Sequence, residues 1–323
     1  MEKVAFAATD LLVSPLGLGT ANFGTRIDEA TSLRQLDRYT QLGNLVDTAH
    51  VYGDWEPGMT ACSEKIIGKW LAAHGGRDRI VLSTKGAHPP INAMHISRVT
   101  PEEIRLDLEG SLRCLRTDYI DLYFLHRDDP SRPVGELLEC LEVFCAEGKI
   151  RYYGCSNWTL PRLKAAQQYA AAHGLKGFVC NQLMWSLAEV RVENLQDKTL
   201  VAMDAPTYAF HAQTHLNATC YTSLAKGYFS HRQRGDALSQ STRDVYDTAQ
   251  NDVIYAKLLD LSERYGVSIT LLSLLYFSAQ PFAAVPLAAF RNDAQMEESL
   301  QLLELTPPQA LLEELKTIRT IEK

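Results

Sequence analysis

The chain has 323 residues, of which 46% are hydrophobic and 22% are charged. A chain of this length and composition can bury a large core, and a single α/β barrel commonly reaches this size. The formal net charge of −7 and the isoelectric point near 5.7 argue against a nucleic-acid partner, since that would need a basic surface stripe.

Cysteine usage and the apolar stretches indicate the compartment. The seven cysteines are scattered without a Cys-x-x-Cys pair, and their number is odd. This pattern is typical of reduced thiols in a cytosolic protein rather than of a disulfide framework. The first ten residues contain no basic leader, and the most apolar later stretch, 269–277, is too short to span a bilayer. We therefore expect a cytoplasmic protein with no membrane partner.

Short apolar runs alternate with helix-like segments from about residue 13 onward. The strongest helix start is at Thr100, a capping residue that is followed by Pro101 and, three residues after the cap, by Glu103. In the first half of the chain the predicted strands are 16–20, 44–46, 80–84 and 119–125, and the predicted helices are 32–42, 63–71, a helix from 101, and 134–147.

The same alternation continues in the second half, although it blurs over 183–216. The predicted strands there are 151–155, 178–182, 217–221 and 282–286, and the predicted helices are 159–174, 250–265 and 268–279. Eight strands with intervening helices predict an α/β fold, the (β/α)8 TIM barrel. Because no linker or low-complexity segment divides the chain, we expect residues 1–323 to form a single domain.

Four residues with chemically useful side chains follow the ends of predicted strands. Asp47, Lys85 and His126 come directly after three of the strands, and Tyr52 lies five residues beyond Asp47. The carboxyl ends of barrel strands share one face, so these side chains should converge there.

A phenol, an ammonium, a carboxylate and an imidazole form a site that can protonate a carbonyl oxygen. Tyrosine is a weak acid, with an ordinary pKa of about 10. We expect the Lys85 ammonium to lower the pKa of Tyr52, with Asp47 holding Lys85 in its charged form. A neutral His126 would then orient the substrate oxygen by a hydrogen bond. These roles suit delivery of a hydride to a carbonyl carbon, with Tyr52 as general acid.

Several segments match, in chain order, the motifs of one family. They are Asp-Thr-Ala-His-Val-Tyr-Gly at 47–53, Ser-Glu at 63–64, Ser-Thr-Lys at 83–85, Asp-Tyr-Ile-Asp-Leu-Tyr at 118–123, Leu-His-Arg at 125–127, 147–158, and 182–187. The chain resembles the aldo-keto reductases densely over 13–187 and loosely beyond. The resemblance implies an NAD(P)(H)-dependent oxidoreductase that reduces an aldehyde or ketone, including a sugar-derived carbonyl, to an alcohol.

The resemblance also implies a nicotinamide dinucleotide across the barrel mouth. By the matching motifs, Ser156, Asn157 and Gln182 hydrogen-bond the carboxamide, and Tyr221 stacks on the nicotinamide ring. The matching motifs also place Leu224 and Lys226 along the pyrophosphate. Because the first predicted strand ends at Thr20, we expect Gly19 and Thr20 near the cofactor and Asn22 near the substrate.

The segment after Pro286 bears on the choice between NADP and NAD. The family usually has a short loop with basic or hydroxyl groups here, whereas this loop looks longer and apolar. Arg291 is its only cation suited to a ribose 2′-phosphate, and Gln295 lies where the following helix would meet the cofactor. The sequence favours NADP, with NAD as the alternative.

The substrate is expected to be a small-molecule carbonyl or polyol. The loop 54–62 is longer than is usual after Tyr-Gly, and such loops at a barrel mouth vary with specificity. Trp55 in this loop and Trp158 after Asn157 are predicted to form a substrate wall. The sequence does not indicate an oligomeric state.

The sequence is open to three other interpretations. The chain could be a sugar or polyol dehydrogenase that works oxidatively with Tyr52 as base, or a cofactor-binding regulatory protein with low turnover. A zinc site is the third, because His211 and His215 are four residues apart. No third ligand is near them in sequence, so we expect surface histidines and no metal.

Overall fold

The computed structural model describes residues 1–319 and contains a closed barrel of eight parallel strands. Neighbouring strands follow one another in chain order, and the last pairs with the first through Leu287 opposite Gly17. The predicted (β/α)8 barrel is confirmed. The strands are β1 Val4–Ala5, β2 Leu12–Val13, β3 Gly17–Gly19, β4 Leu45–Asp47, β5 Val81–Gly86, β6 Ile120–Leu125, β7 Ile150–Ser156, β8 Cys180–Met184, β9 Asn217–Tyr221 and β10 Ala284–Ala288, of which β3–β10 form the barrel.

Helices connect the barrel strands, and side chains cap many of them. The Thr100 hydroxyl accepts a hydrogen bond from the Glu103 backbone, and Pro101 is the first helical residue, as predicted. No helix within residues 1–319 is long and apolar enough to cross a membrane. The helices are α1 Glu29–Tyr39, α2 Cys62–His74, α3 Pro101–Leu115, α4 Val134–Ala146, α5 Leu160–His173, α6 Ala205–Thr214, α7 Tyr228–Arg234, α8 Gln240–Tyr246, α9 Ala249–Tyr265, α10 Ile269–Ser278, α11 Asp293–Glu304 and α12 Gln309–Ile318.

The N-terminal hairpin β1–β2 packs against the barrel's inward-facing apolar residues. Phe6, Leu11 and Val13 are all buried in one cluster with residues of five barrel strands. The other buried members of that cluster are Leu45, Val81, Leu122, Phe124, Val179, Cys180, Val285 and Leu287. With this region filled by apolar side chains, the polar groups gather at the carboxyl ends of the strands.

Two of the element boundaries that differ from the prediction have a clear physical cause. Helix α1 begins three residues early because the Asp28 carboxylate accepts a hydrogen bond from the Thr31 backbone at 2.8 Å. Strand β10 continues to Ala288, because Leu287 and Ala288 pair with β3. Only residues 289–292 therefore separate β10 from α11, and the expectation of a longer loop after Pro286 is wrong.

The stretch where the sequence pattern blurs contains α6. Only Thr207 and His211 of this ten-residue helix are buried, so its apolar residues do not form a clear stripe. Helices α7 and α8 were not predicted at all. Each has seven residues, which is too few for a helical period to stand out.

His211 is fully buried, so the expectation that it lies on the surface is wrong; His215 is exposed as expected. The Nδ1 atom of His211 lies 2.7 Å from the Leu216 carbonyl oxygen, and Nε2 lies 3.2 Å from the Asn181 amide nitrogen. A carbonyl needs a donor and an amide N–H needs an acceptor, so the imidazole is neutral with its proton on Nδ1. Burial lowers the pKa of His211 to about 4.

Stability should therefore fall as the solution is acidified. Between pH 6.5 and 4 the unfolded chain binds a proton at His211 that the folded chain does not, so His211 costs about 2 kcal/mol of stability from pH 7 to pH 5. We expect His211→Asn to show a correspondingly smaller loss in urea unfolding over this range. His215→Asn is the exposed control, and an unchanged pH slope in His211→Asn would contradict the prediction.

Helices α2 and α3 approach most closely at Gly68. A Cβ atom there would lie 2.0 Å from the carbonyl oxygen of Cys114, which belongs to the α3 backbone and cannot rotate away. We expect Gly68→Ala to lower the free energy of unfolding by about 3 kcal/mol. Gly110→Ala is the matched helical control. The three atoms nearest to its Cβ would all belong to the half-buried His50 ring, the first at 2.7 Å, so its loss in urea unfolding should be smaller.

Candidate active site

The four side chains predicted to be catalytic, which we call the tetrad, meet at the carboxyl ends of three adjacent strands. Asp47 is the last residue of β4, Lys85 is the penultimate residue of β5, and His126 directly follows β6. Tyr52 lies in the loop after β4, with its ring centroid 5.9 Å from that of His126. Because these strands are neighbours in the barrel, the fold brings together residues that are up to 79 positions apart.

Lys85 is the centre of the cluster. Its buried ammonium group donates to Asp47 Oδ2 at 2.7 Å, to the Thr48 carbonyl oxygen at 2.6 Å and to the Tyr52 hydroxyl at 3.2 Å. An ammonium has three N–H donors, so all of them are used. The Lys85 side chain is thus fixed in position and aimed at the phenol.

The second oxygen of Asp47 is held from two sides. Oδ1 accepts a hydrogen bond from the Ser83 hydroxyl at 2.7 Å and one from Gln182 Nε2 at 3.0 Å. The carboxylate is 2% exposed, so these bonds and the Lys85 ion pair replace the water that it loses on folding. Asp47 therefore links strands on opposite sides of the site.

Burial lowers the pKa of Lys85, but Asp47 and Tyr52 together outweigh burial and the pKa stands above its ordinary value. Lys85 is therefore charged. For Tyr52, burial raises the pKa most, Lys85 lowers it and Asp47 raises it again, so the net shift is upward. The expectation that the pKa of Tyr52 is lowered is wrong in this state, because the Lys85 charge is offset by burial and by Asp47.

His126 is neutral, and its neighbour His88 is part of the same site. Burial lowers the pKa of His126 well below its ordinary value, and His88 and Arg127 lower it further. The His88 ring lies edge-on to the His126 ring, 4.7 Å between centroids, and burial with Arg127 lowers the pKa of His88 to about 4. Both rings therefore stay uncharged near neutral pH.

The surroundings of His126 favour one tautomer. Its Nδ1 atom is buried and has no hydrogen-bond partner among residues 1–319. A buried N–H without a partner is costly, whereas a carbonyl or ring acceptor left unpaired is better tolerated. We therefore place the proton on Nε2, the ring nitrogen that remains available to donate to a ligand at the barrel mouth.

Arg127 binds a later segment of the chain, residues 197–199, to this site. Its guanidinium donates to the His126 carbonyl at 2.9 Å, to Thr199 Oγ1 at 2.8 Å and to Asp197 Oδ2 at 3.0 Å. His88, Arg127 and Asp197 are not among the predicted site residues. The first two follow strand ends and could have been noticed for that reason, but Asp197 lies in the stretch without a recognisable pattern.

The predicted carboxamide-binding residues lie together beside the tetrad. Asn157 Oδ1 accepts from the Tyr221 hydroxyl at 2.6 Å and from the Val201 backbone at 3.1 Å, and its Nδ2 donates to Ser156 Oγ at 3.0 Å. Asn157 has φ 61°, a left-handed conformation that asparagine tolerates better than most residues.

These residues fit a planar ring that bears an amide. Gln182 directs Nε2 to Asp47 and to Thr219, and within residues 1–319 its Oε1 accepts no hydrogen bond, so it is available to an amide N–H. Tyr221 is half-buried, and no aromatic side chain in the described part of the chain stacks on it. Its ring face is therefore available for stacking.

Thr20 is not placed to contact a ligand. Its side chain is fully buried, with the hydroxyl bonded to the Asp47 carbonyl at 2.8 Å and to Ser63 Oγ at 2.6 Å. It supports the backbone of Asp47 instead, which corrects its assignment to the cofactor. Gly19 and Asn22, by contrast, are partly accessible at the end of β3.

The loop after β9 has an unusual backbone. Thr222, Ala225, Lys226 and Gly227 all have φ between 50° and 79°, with Leu224 between them partly buried and Lys226 exposed. A right-handed residue followed by a left-handed one, as at Leu224 and Ala225, turns successive backbone N–H groups to one side, which is favourable for an anion.

Arg291 and Gln295 lie at the start of α11. The Arg291 backbone N–H donates to Gln295 Oε1 at 3.0 Å, while Asn292 caps the helix. The Arg291 guanidinium is exposed and pairs with no carboxylate among residues 1–319. A cation at a helix N-terminus is a favourable setting for a phosphate.

The two predicted substrate tryptophans differ in position. Trp55 is 38% exposed, and its ring centroid lies 6.1 Å from that of Tyr52, so it borders the mouth. Trp158 is 1% exposed and packs edge-on against Phe178, and its indole N–H donates to the Arg127 carbonyl. Trp158 is a packing residue, which corrects its assignment to a substrate wall.

Known proteins resemble this chain over nearly its whole length. An oxidoreductase from Bacillus subtilis, YrpG, is 31% identical, and the match covers 98% of this chain and 96% of that protein. Protein tas of Escherichia coli is 27% identical over 97% and 96%, and the norsolorinic acid reductase stcV of Emericella nidulans is 29% identical over 94% and 77%.

A solved structure supports the same fold. The aldo/keto reductase of Klebsiella pneumoniae, crystallised in complex with NADP and acetate, has a TM-score of 0.70 with 21% identity, and the match covers 98% of this chain and 95% of that one. The model of the Aldo/keto reductase family matches residues 15–320. Together with the oxidoreductase relatives, this match means that the chain belongs to the aldo/keto reductase family of oxidoreductases.

Proposed function

We propose that the protein reduces an aldehyde or ketone to an alcohol with NADPH, and that Tyr52 is the general acid. The observation that carries the proposal is the position of the Lys85 ammonium, 2.7 Å from Asp47 Oδ2 and 3.2 Å from the Tyr52 hydroxyl. A phenol with a fixed cation behind it and a neutral imidazole beside it suits a carbonyl oxygen that gains negative charge.

Tyr52 can give its proton in only one direction. Since the Lys85 ammonium donates to the Tyr52 oxygen, the hydroxyl hydrogen points away from Lys85 and is available to a substrate oxygen. The pKa of Tyr52 is raised, so the phenol holds its proton at neutral pH until the substrate oxygen gains negative charge. After it donates, the phenolate would lie within hydrogen-bond distance of the Lys85 ammonium, which stabilises it.

His126 would hold the substrate oxygen. With its proton on Nε2, the neutral ring donates a hydrogen bond to the carbonyl oxygen that Tyr52 protonates. A charged imidazolium would compete with Tyr52 as the proton donor, and the lowered pKa of His126 prevents this.

The nicotinamide cofactor, when bound, supplies the hydride for the carbonyl carbon. Gln182 Oε1 and the Asn157–Ser156 pair would hold its carboxamide, and the open face of Tyr221 would support its ring. The positive-φ loop with Leu224 and Lys226 would bind the pyrophosphate, and Gly19 would border it. Asn22 and Trp55 remain the proposed substrate contacts at the mouth.

Arg291 provides the test of NADP against NAD. We expect Arg291→Ala to weaken NADPH binding by about 10–100-fold, the worth of a hydrogen bond to a charged group, and to leave NADH binding unchanged. Cofactor titration by protein fluorescence measures both, with Arg113→Ala as a control for an exposed arginine elsewhere. An equal loss of affinity for the two cofactors would mean that Arg291 does not bind the 2′-phosphate, and it would favour NAD.

A steady-state assay tests the function itself. Both reduced cofactors are supplied with a panel of aldehydes, ketones and sugar-derived carbonyls, and both oxidised cofactors with a panel of polyols. Faster turnover of carbonyls supports the proposal, whereas faster oxidation of polyols would favour the dehydrogenase alternative with Tyr52 as base. Tight cofactor binding without turnover on either panel would favour a regulatory protein.

A further inference from the structure

Outside the proposed active site, three metal-ligating side chains from different elements converge. His50 lies in the loop after β4, Glu64 in the first turn of α2 and Cys114 near the end of α3. One ligand atom from each lies within 4.8 Å of the other two, and His50 Nδ1 is 2.8 Å from Glu64 Oε2. The three are separated in sequence by 14 and 50 positions, so no short metal-binding motif predicts them.

Close helix packing preforms the cluster. A Cβ atom at Gly68 would lie 2.0 Å from the Cys114 carbonyl oxygen, and one at Gly110 would lie 2.7 Å from His50 Cε1. The two glycines let α2, α3 and the His50 loop approach more closely than other residues would allow. The three ligand side chains are thus brought together by the backbone, without any change of fold.

Further hydrogen bonds orient the cluster, as is usual around metal ligands. The fully buried Glu64 accepts from the Thr84 hydroxyl at 2.6 Å through its other oxygen, which leaves Oε2 directed at His50. The His50 backbone N–H donates to the Lys85 carbonyl at 3.0 Å. His50 and Cys114 are half-buried, which gives an ion a route from solvent.

We propose that His50 Nδ1, the Glu64 carboxylate and Cys114 Sγ bind one thiophilic divalent cation of the zinc class. Imidazole, carboxylate and thiolate are all zinc ligands, and bonds of about 2.0–2.3 Å fit this cluster after small side-chain rotations. The thiol releases its proton to solvent as the metal–sulfur bond forms. The Nδ1 proton that His50 donates to Glu64 is also released to solvent, and the neutral ring keeps its proton on Nε2, so that the Nδ1 lone pair binds the cation. The two anionic ligands then balance the charge of the cation, and its fourth position stays open to water.

Such an ion would act on the loop that carries Tyr52, because His50 is two residues before Tyr52 in the chain. It would join this loop to α2 and α3 without using any of the four tetrad residues. The proposal is independent of the carbonyl-reducing function, since metal binding is measured without substrate or nicotinamide cofactor.

Cobalt and zinc titrations of chelator-treated full-length protein test the site. Wild type should bind one equivalent of Co²⁺ with a thiolate-to-cobalt charge-transfer absorption, and Zn²⁺ should raise its melting temperature. Cys140→Ser, which removes another half-buried thiol, should behave like wild type. Cys114→Ser should lose the absorption and bind Zn²⁺ at least about tenfold more weakly by calorimetry.

Two results would overturn the proposal. One is the lack of a saturable one-equivalent site in wild type, and the other is a charge-transfer absorption that persists in Cys114→Ser. A Cys114→Ser protein with the wild-type circular dichroism spectrum and melting temperature in chelator establishes that the comparison is between folded proteins.

Discussion

We expect Tyr52→Phe to lower kcat/KM for carbonyl reduction by about 10²–10⁴-fold, the usual contribution of a positioned general acid. The substitution removes only the phenolic oxygen, the atom that the Lys85 ammonium contacts at 3.2 Å. The phenyl ring keeps its packing against His126 and Trp55, so the mouth keeps its shape. Cofactor affinity should stay close to that of wild type, because the residues proposed to bind the cofactor are unchanged.

Steady-state kinetics and cofactor titration measure the two quantities separately. Tyr152→Phe is the matched control, since it removes a phenolic oxygen that contacts Asp10 far from the tetrad, and it should leave kcat/KM unchanged. Retention of most activity in Tyr52→Phe would mean that another group protonates the product. His126 would then be the first group to examine.

The second large effect concerns stability. We expect Lys85→Met to lower the free energy of unfolding by about 3–5 kcal/mol, because it leaves the Asp47 carboxylate buried without its counter-ion. Asp47 is 2% exposed and cannot recover water in the folded protein. Two remaining hydrogen bonds to Oδ1, from Ser83 and Gln182, do not compensate a full charge.

The chain contains a matched control for this substitution. Lys69 pairs with Glu29 at 2.7 Å, the same distance as in the Lys85–Asp47 pair, but both side chains are 48% exposed. Lys69→Met should cost only about 0–1 kcal/mol in the same urea unfolding experiment, because solvent screens the pair.

A double variant separates the lost pair from other effects of Lys85→Met. Adding Asp47→Asn removes the stranded charge, so the double variant should be more stable than Lys85→Met alone. If the losses in unfolding free energy from the two substitutions were additive instead, the effect of Lys85→Met would come from packing around the lysine stem rather than from the buried carboxylate.

Residues at strand ends were the part of the site that the sequence could predict. Asp47, Lys85 and His126 each follow an apolar run, and the barrel rule places all such residues at one face. The Thr100 helix cap was equally predictable, because capping depends on residues within one helical turn. Strand order and helix starts are local or topological properties, and a single sequence carries both.

Side-chain direction was the part that could not be predicted. Thr20 and Trp158 follow strands just as the tetrad does, yet the Thr20 hydroxyl bonds to Asp47 and Ser63. The Trp158 indole N–H likewise bonds to the Arg127 carbonyl. The net pKa shift of Tyr52 depends on burial as well as on Lys85, and burial is known only once the surrounding loops are placed. The continuation of β10 past Pro286 likewise depended on its partner strand, β3.

The segment from Asp197 to Val201 has a consequence for engineering. It is bonded through Asp197 and Thr199 to Arg127, next to His126, and through Val201 to Asn157. This one stretch of chain therefore contacts both the surroundings of His126 and the proposed carboxamide-binding residue Asn157. Libraries that vary this stretch to broaden the substrate range should therefore yield variants whose selectivity and cofactor affinity change together, whereas variation of the Trp55 loop should alter selectivity alone.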